Sequence, residues 1–522
     1  MRPCRPGCSS VLLMLLAAVM AAASSQSATT KMQRAAITKV HLVQSNHLDV
    51  GFTGSILTVL NEYFDSYLTG AVATSAALKR KGGEEQLVFT THAYVLSLFL
   101  DCPAGRGLHC PTPAAVATVE DALRDGSIAL HAFPFNSELD MYDASLIEAG
   151  VELSASISTR YGQSRPTVLS QRDVPGMTQA IVPVLAKLGV QAISVGCNNA
   201  AQPPDVPSIF RWQAPNGGNS SVIGLVHAGG YAELKGNGGC DDMTGNDGCL
   251  RTHKGEDYLV DGCDEALVMA WNSDNQGPPA ESDVLLTFKS TRQLYPNAKI
   301  VASTMDAFIT AIQPHVASLP VVKGEIADNW IYGVGSDPYK VAVMRAAARS
   351  RSAYLAGAAA GAMEDKLLNF SRQLLKGGEH TWGTDTQGPN KANTGLSSNV
   401  WTNAELERAR HNRSAGADGI GLAVESPCPG LHGNARPQPP CPEYWYAPDS
   451  VSCTQGCPSG AQKRDPATGR CRCGEAAPND VCLRGLQCIN STCVECAVRP
   501  KPAPPGAAFR RIEKMWREQR LW

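Results

Sequence analysis

From Ala36 to about Ile326, short apolar runs alternate with stretches in which apolar residues recur every three or four positions. ITKVHLVQ, QLVFTTHAY, SIALHAF, PTVLSQ and QAISVG read as strands, and SVIGLVHAG, EALVMAW, AKIVAST and VVKGEI continue the series. Helices are predicted over 56–79, over AAVATVEDALRDG with its stop at Gly126, over GMTQAIVPVLAKLG, after Ala280, and over MDAFITAIQPHV. Short apolar strands alternating with helices argue a parallel sheet with crossover helices. Seven or eight such units over 36–337 predict an α/β fold built as a (β/α)7-8 barrel-like domain rather than an open doubly wound sheet. The absence of a glycine-rich dinucleotide fingerprint after the first strand points the same way.

From Pro338 the period changes to that of long helices, as in KVAVMRAAARSRSAYLAG, and predicts an α-helical bundle over 338–415. From Glu425 proline, glycine and cysteine take over. Ten of the 18 cysteines lie between Cys428 and Cys496, with pairs such as Cys453 and Cys457, Cys471 and Cys473, and Cys493 and Cys496. That density predicts a small disulfide-stapled module over 425–497, its pairing left open. Residues 498–522 read as an extended linker, RPKPAPPGAA, and a basic tail.

Composition changes this picture in two ways. The 46 Lys and Arg against 48 Asp and Glu give near balance, so no nucleic-acid partner is implied. At the other end, Arg2 and Arg5 precede the apolar run VLLMLLAAVMAAA, Val11 to Ala23. Such a run is short of the ~20 residues of a membrane-spanning helix and predicts a signal peptide over 1–23. Secretion or an endomembrane lumen (Golgi, vacuole or lysosome-like) is the expected location, with no transmembrane span. The cysteines fit an oxidising compartment, and Asn219, Asn369, Asn412 and Asn490 stand in glycan-acceptor triplets.

Candidate chemistry collects where strands of a parallel barrel end, at their carboxyl edge. The first strand runs into His47 and Asp49, which alternation puts on one face with Leu48 turned away. PTVLSQ runs into RDVPG and brings Asp173 to the rim. EALVMAW leads to Asn272, Asp274 and Asn275. VVKGEI leads to Asp328 and Trp330. A glycine-flanked loop, GGEHTWGTD, offers Glu379, His380, Trp382 and Asp385. Each has an ordinary reading: an Asp ahead of a helix caps free N–H groups, and a lone histidine is a core or rim group. Together, His47, Asp49, Asp173 and His380 supply two imidazoles and two carboxylates, a donor set that suits Zn2+.

HLDVGFT followed by QRDVPGMTQAIVPVLAKLGV resembles the catalytic domain of glycoside hydrolase family 38, the zinc-dependent α-mannosidases. The likeness runs from about Val40 to Asn412. It is greater still to a branch with DNxGP, WIYGxxSDP and EHTWG signatures, here DNQGP, WIYGVGSDP and EHTWG. The resemblance implies that His47, Asp49, Asp173 and His380 bind zinc and that Asp173 is also the nucleophile. It sets Asp328 near the second catalytic acid, and Asn272, Asp274, Asn275, Trp330, Trp382 and Glu138 among groups that contact the sugar. The family's paired-histidine HHD stands here as EHT. Its large β-sandwich is replaced after the helices by the cysteine-rich module, which leaves the substrate's framing open.

The function implied is a zinc-dependent retaining glycosidase, α-mannosidase-like, whose partner is an oligosaccharide or glycoprotein glycan. Two alternatives stand beside it. One is a catalytically retired carbohydrate-binding or cell-surface protein on the same scaffold. The other is a zinc-dependent polysaccharide deacetylase, a class that relies on an H-x3-H pair absent from this chain.

Overall fold

A computed structural model of the chain describes residues 32–103, 106–198, 201–228, 230–232, 257–326, 330–331, 338–357 and 364–381, together with five short strands between 462 and 495. The chain divides into two compact units, Met1–Val424 with Trp516–Trp522, and Glu425–Met515. The predicted signal peptide lies outside the described residues. So do the basic tail and most of the cysteine-rich stretch. No described helix is long and apolar enough to cross a membrane.

The first unit is a mixed α/β fold around ten strands: β1 Lys39–Asn46, β2 Phe89–Thr91, β3 Ile128–Leu130, β4 Val168–Asp173, β5 Ala192–Cys197, β6 Ile209–Gln213, β7 Ser221–His227, β8 Glu265–Asn272, β9 Lys299–Ala302 and β10 Val321–Val322. They form two five-stranded sheets. One has the order β3-β2-β1-β8, with β9 also paired to β1; the other has the order β10-β6-β7-β5-β4. All pairings in these sheets are parallel except β6 with β7. Isolated backbone hydrogen bonds join the two sheets, from Ala132 N to Val168 O at 2.9 Å and from Trp271 N to Ala232 O at 2.8 Å.

Alternation along β1 explains why it sits centrally. Val40 and Leu42 pack with Ala266, Val268 and Phe288 on one side, while Val43 packs with Met269, Trp271 and Phe308 on the other. A strand apolar on both faces must be covered on both, and full burial of each such side chain is worth about 1.5–3 kcal/mol. β1 and β8 pair in register over their whole length, ending at Asn46 opposite Asn272. Both strands therefore deliver their following loops to the same edge.

The helices match the predicted period with local differences. The expected helix from Ile56 divides into Ile56–Glu62, a π-turn Tyr63–Tyr67 and Leu68–Lys81, and Ser55 caps it by accepting from Thr58 N at 3.1 Å. QLVFTTHAY is strand only over Phe89–Thr91; from Ala93 it is the helix Ala93–Leu100, whose side chains are nearly all buried. Period alone does not separate a short buried helix from a buried strand. The antiparallel strand β6 and the helix Ala144–Arg160 are further elements that the pattern left unassigned. The expected helical region begins with Pro338–Gly357 and Glu364–Lys376. In the second unit, Gln462–Arg464, Cys471–Cys473 and Val481–Cys482 form an antiparallel sheet, and Leu486–Ile489 pairs with Thr492–Glu495. Among cysteines with described side chains, Cys102 and Cys110 form a disulfide, and Cys197 and Cys263 are free.

Candidate metal centre

His47 and Asp49 follow β1 directly, Asp173 is the last residue of β4, and His380 lies just past the helix Glu364–Lys376. One donor atom from each of the four lies within 4.8 Å of the others. His47 Nε2 is 2.8 Å from Asp49 Oδ1, His380 Nε2 is 3.0 Å from the same oxygen, and His380 Nε2 is 3.2 Å from Asp173 Oδ2. The segment after β1 has left the ladder, yet the expected division holds: the polar pair turns into the cluster and Leu48 into the apolar core.

Several devices hold these groups in place. Asn275 accepts from Asp49 N at 3.0 Å and donates to Gly51 O at 3.1 Å and Thr53 Oγ1 at 2.9 Å. The His47 N–H donates to Asn272 O at 2.8 Å, and the Asn275 N–H to His47 O at 3.0 Å. The β8 loop thus clamps the β1 loop. Asn136 donates to Leu48 O at 3.0 Å, approaches His47 Nδ1 at 3.3 Å, and accepts from Arg172 N at 2.8 Å, so it joins the β1 loop to β4. His380 is brought in by Gly378, where any Cβ would stand 2.5 Å from the Tyr142 ring.

Asp173 has φ +80°, a left-handed conformation that only surrounding contacts can hold in a non-glycine residue. Those contacts are Asn198 Nδ2, donating to Oδ1 at 2.6 Å, and the Tyr231 hydroxyl, donating to the same oxygen. The Tyr231 ring also stacks on His47, with centroids 4.6 Å apart and planes 25° from parallel. One oxygen of Asp173 is thus fixed by neutral donors while the other faces the cluster.

Burial by itself favours neutral forms, and the mutual pairing overrides it. Burial would lower His47, but the adjacent Asp49 carboxylate raises its pKa; His380 rises well above its ordinary value through Asp173, Asp49 and Glu379 in spite of the same burial. Asp49 and Asp173 go down: burial opposes their ionisation, and the histidines outweigh it.

The donor set fits a metal ion on the structure's own terms. Asp49 Oδ2 and His380 Nε2 are buried polar atoms without a hydrogen-bond partner, and both belong to the cluster. A buried polar atom is costly unless something satisfies it, and a cation would engage both. Two imidazoles and two carboxylates are ordinary ligands for zinc.

The remaining predicted residues divide. Asp274 Oδ1 lies 3.9 Å from His47 Nε2 with its side chain 35% exposed, so it stands at the open side of the cluster. Asn272 and Asn275 are buried and spend their amides on the loop, Asn272 through Gly277 O at 3.0 Å. Glu138 is buried beside the segment carrying His380, its N–H donating to Gly378 O at 2.9 Å. Trp330 is half-buried. Asp328 and Trp382 lie outside the described residues. Sequence reading passed over Tyr231, Asn198 and Asn136. Asn136 stands in NSELD, two residues before the Glu138 that was singled out, and Tyr231 and Asn198 each follow a strand of the same sheet as β4.

The family described as "Domain of unknown function (DUF5054)" matches residues 334–522. No curated protein matches this chain. Among solved structures, an alpha-mannosidase from Enterococcus faecalis V583 is similar with TM-score 0.49 and 14% identity, over 74% of this chain and 41% of that one. A protein in the glycosyl hydrolase family 38 from Enterococcus faecalis gives TM-score 0.45 and 14% identity, over 74% and 39%. The 4-alpha-glucanotransferase from Thermococcus litoralis gives TM-score 0.39 and 9% identity, over 65% and 56%. The match spans about two fifths of the length of each of the two Enterococcus chains.

Proposed function

We propose that this chain is a zinc-dependent retaining glycosidase of the α-mannosidase type, acting on oligosaccharide or glycoprotein glycans from a barrel-like α/β domain. The observation that carries the reading is the convergence of His47, Asp49, Asp173 and His380 from three distant parts of the chain. The HLDVGFT and QRDVPG motifs that carry those residues support the same reading.

When held by these four side chains, zinc supplies Lewis-acid polarisation and orientation of substrate oxygens. The protein's own groups do the rest. Asp173 stays ionised because the two histidines offset its burial, and Asn198 and Tyr231 fix the direction of its carboxylate. It attacks the anomeric carbon, the glycosidic C–O bond breaks, and a second carboxyl gives its proton to the departing oxygen. That carboxylate then takes a proton from water, which releases the sugar from Asp173. For the second carboxyl we favour Asp274 over the Asp328 expected from sequence. Asp274 is the acid at the open side of the cluster, 3.9 Å from His47 and reachable by solvent. The leader over 1–23 would send the protein to the secretory route, where such glycans are found.

The test is zinc content of the purified full-length protein together with hydrolysis of a panel of aryl α- and β-glycosides, the product anomer being followed by NMR. One zinc per chain and an α-mannoside product that first appears as the α-anomer are expected. A β-anomer first product would overturn retention. Stoichiometric zinc without hydrolysis of any member would favour the carbohydrate-binding alternative.

A further inference from the structure

Beyond the four donors and Asp274, a further carboxylate lies against the cluster. Glu379 directly precedes His380 and has no exposed surface, at 0%. Its Oε1 lies 3.0 Å from His380 Nδ1, while Nε2 on the other side of the ring faces Asp49 and Asp173. The ring is turned off the straight hydrogen-bond line to these carboxylates, so the approaches are ion-pair contacts. The two sides of the imidazole nonetheless differ in kind. Nε2 belongs to the donor cluster, and Nδ1 meets a carboxylate built into the scaffold.

That carboxylate is itself firmly held. Glu379 accepts from Val50 N and from Thr381 N, each at 3.3 Å, and from Thr381 Oγ1 at 2.7 Å. Its backbone forms an isolated antiparallel bridge with Ser137. It therefore touches the loop that carries Asp49, the segment that carries Asn136, and the turn that carries His380. A residue that only filled space would not need a carboxyl at such a junction, where a buried polar group without partners is heavily penalised.

Resting on the zinc reading above, we propose that Glu379 is a positioning residue for the metal: it accepts from the Nδ1–H of His380, so that the Nε2 lone pair is free to coordinate, and it fixes the ring against the Asp49 loop. A carboxylate behind a ligating histidine sets the tautomer and raises its basicity, and loss of such a partner typically weakens metal binding 10- to 100-fold.

The experiment measures zinc affinity of the full-length protein against a competing chelator, alongside the visible absorption of the Co2+-loaded form, for wild type, Glu379→Gln and Glu379→Asp. Glu379→Gln keeps the shape and removes the charge. It is expected to bind zinc about 10- to 100-fold more weakly and to shift the Co2+ bands. Glu379→Asp should recover part of the affinity. A folded Gln variant with wild-type affinity and spectrum overturns the assignment while leaving the zinc reading intact, whereas wild type that takes up no zinc overturns both. Should Glu379→Gln fail to fold, Thr381→Val removes only the hydroxyl that holds Oε2. A several-fold affinity loss is expected there, and unchanged affinity and Co2+ bands would again overturn the assignment.

Discussion

Two pairs of histidines are buried almost equally in this molecule and behave in opposite ways. His47 and His380 are 1% and 4% exposed, and His92 and His131 are 1% each. The first pair is ringed by Asp49, Asp173 and Glu379 and is pushed toward the charged form. The second pair packs ring against ring at 4.9 Å, with His131 stacked on Trp271 and Arg172 lying 4.4 Å over the indole. Burial drives His92 down to about 3, and the positive charges of His47, Arg172 and His380 add to the effect. Burial likewise takes His131 well below its usual value. Burial lowers all four; carboxylates at 3 Å reverse it for two. The contrast separates histidines gathered among carboxylates from histidines that belong to the packing.

The largest effect is expected where the carboxylates of the first pair also do chemistry. Asp173→Asn should reduce turnover of an aryl glycoside by at least about a thousandfold, as removal of a nucleophile does. Near-normal kcat would sink the role assigned to Asp173. Asp49→Asn removes the negative charge shared by both histidines and should weaken zinc binding by about a hundredfold or more, read by chelator competition. An unaltered zinc affinity would mean that the histidines owe their state to something other than Asp49.

The pH dependence of stability sharpens the contrast from the other side. His92 and His131 have folded pKa values below the unfolded value of about 6.5, so the unfolded chain binds more protons as pH falls. Their contribution is complete above about pH 6.5 and is lost as pH falls toward the folded value, about 3 for His92. His47 and His380, raised instead, contribute below about pH 6.5 in chelator-stripped protein and lose that contribution as pH rises through their folded values. Urea midpoints across pH 4 to 7 should therefore fall less steeply in His92→Phe than in wild type, and parallel curves would count against the assignment. A smaller effect is expected at the clamp between the two loops. Asn275→Ala removes three side-chain hydrogen bonds and should lower the unfolding free energy by about 1–3 kcal/mol, seen as a lower Tm. It should disturb His47 and leave His92 untouched.

The sequence by itself determined the α/β alternation, because a two-residue period and a 3.6-residue period leave different marks in the apolar pattern. It also made three of the four clustered residues legible, because HLD follows a readable strand, QRD ends another, and a strand's end fixes which edge its next residues occupy. It did not separate the helix Ala93–Leu100 from a strand, since a segment buried on all sides loses its amphipathic signature. It missed Tyr231 and Asn198, which act on Asp173 across 58 and 25 residues through side chains that could serve anywhere. Only tertiary structure decided which of the clustered acids faces solvent, which histidine pair meets carboxylates, and what stands behind His380. Those outcomes depend on distances of about 3 Å between segments far apart in the chain, and local propensity carries no information at that range.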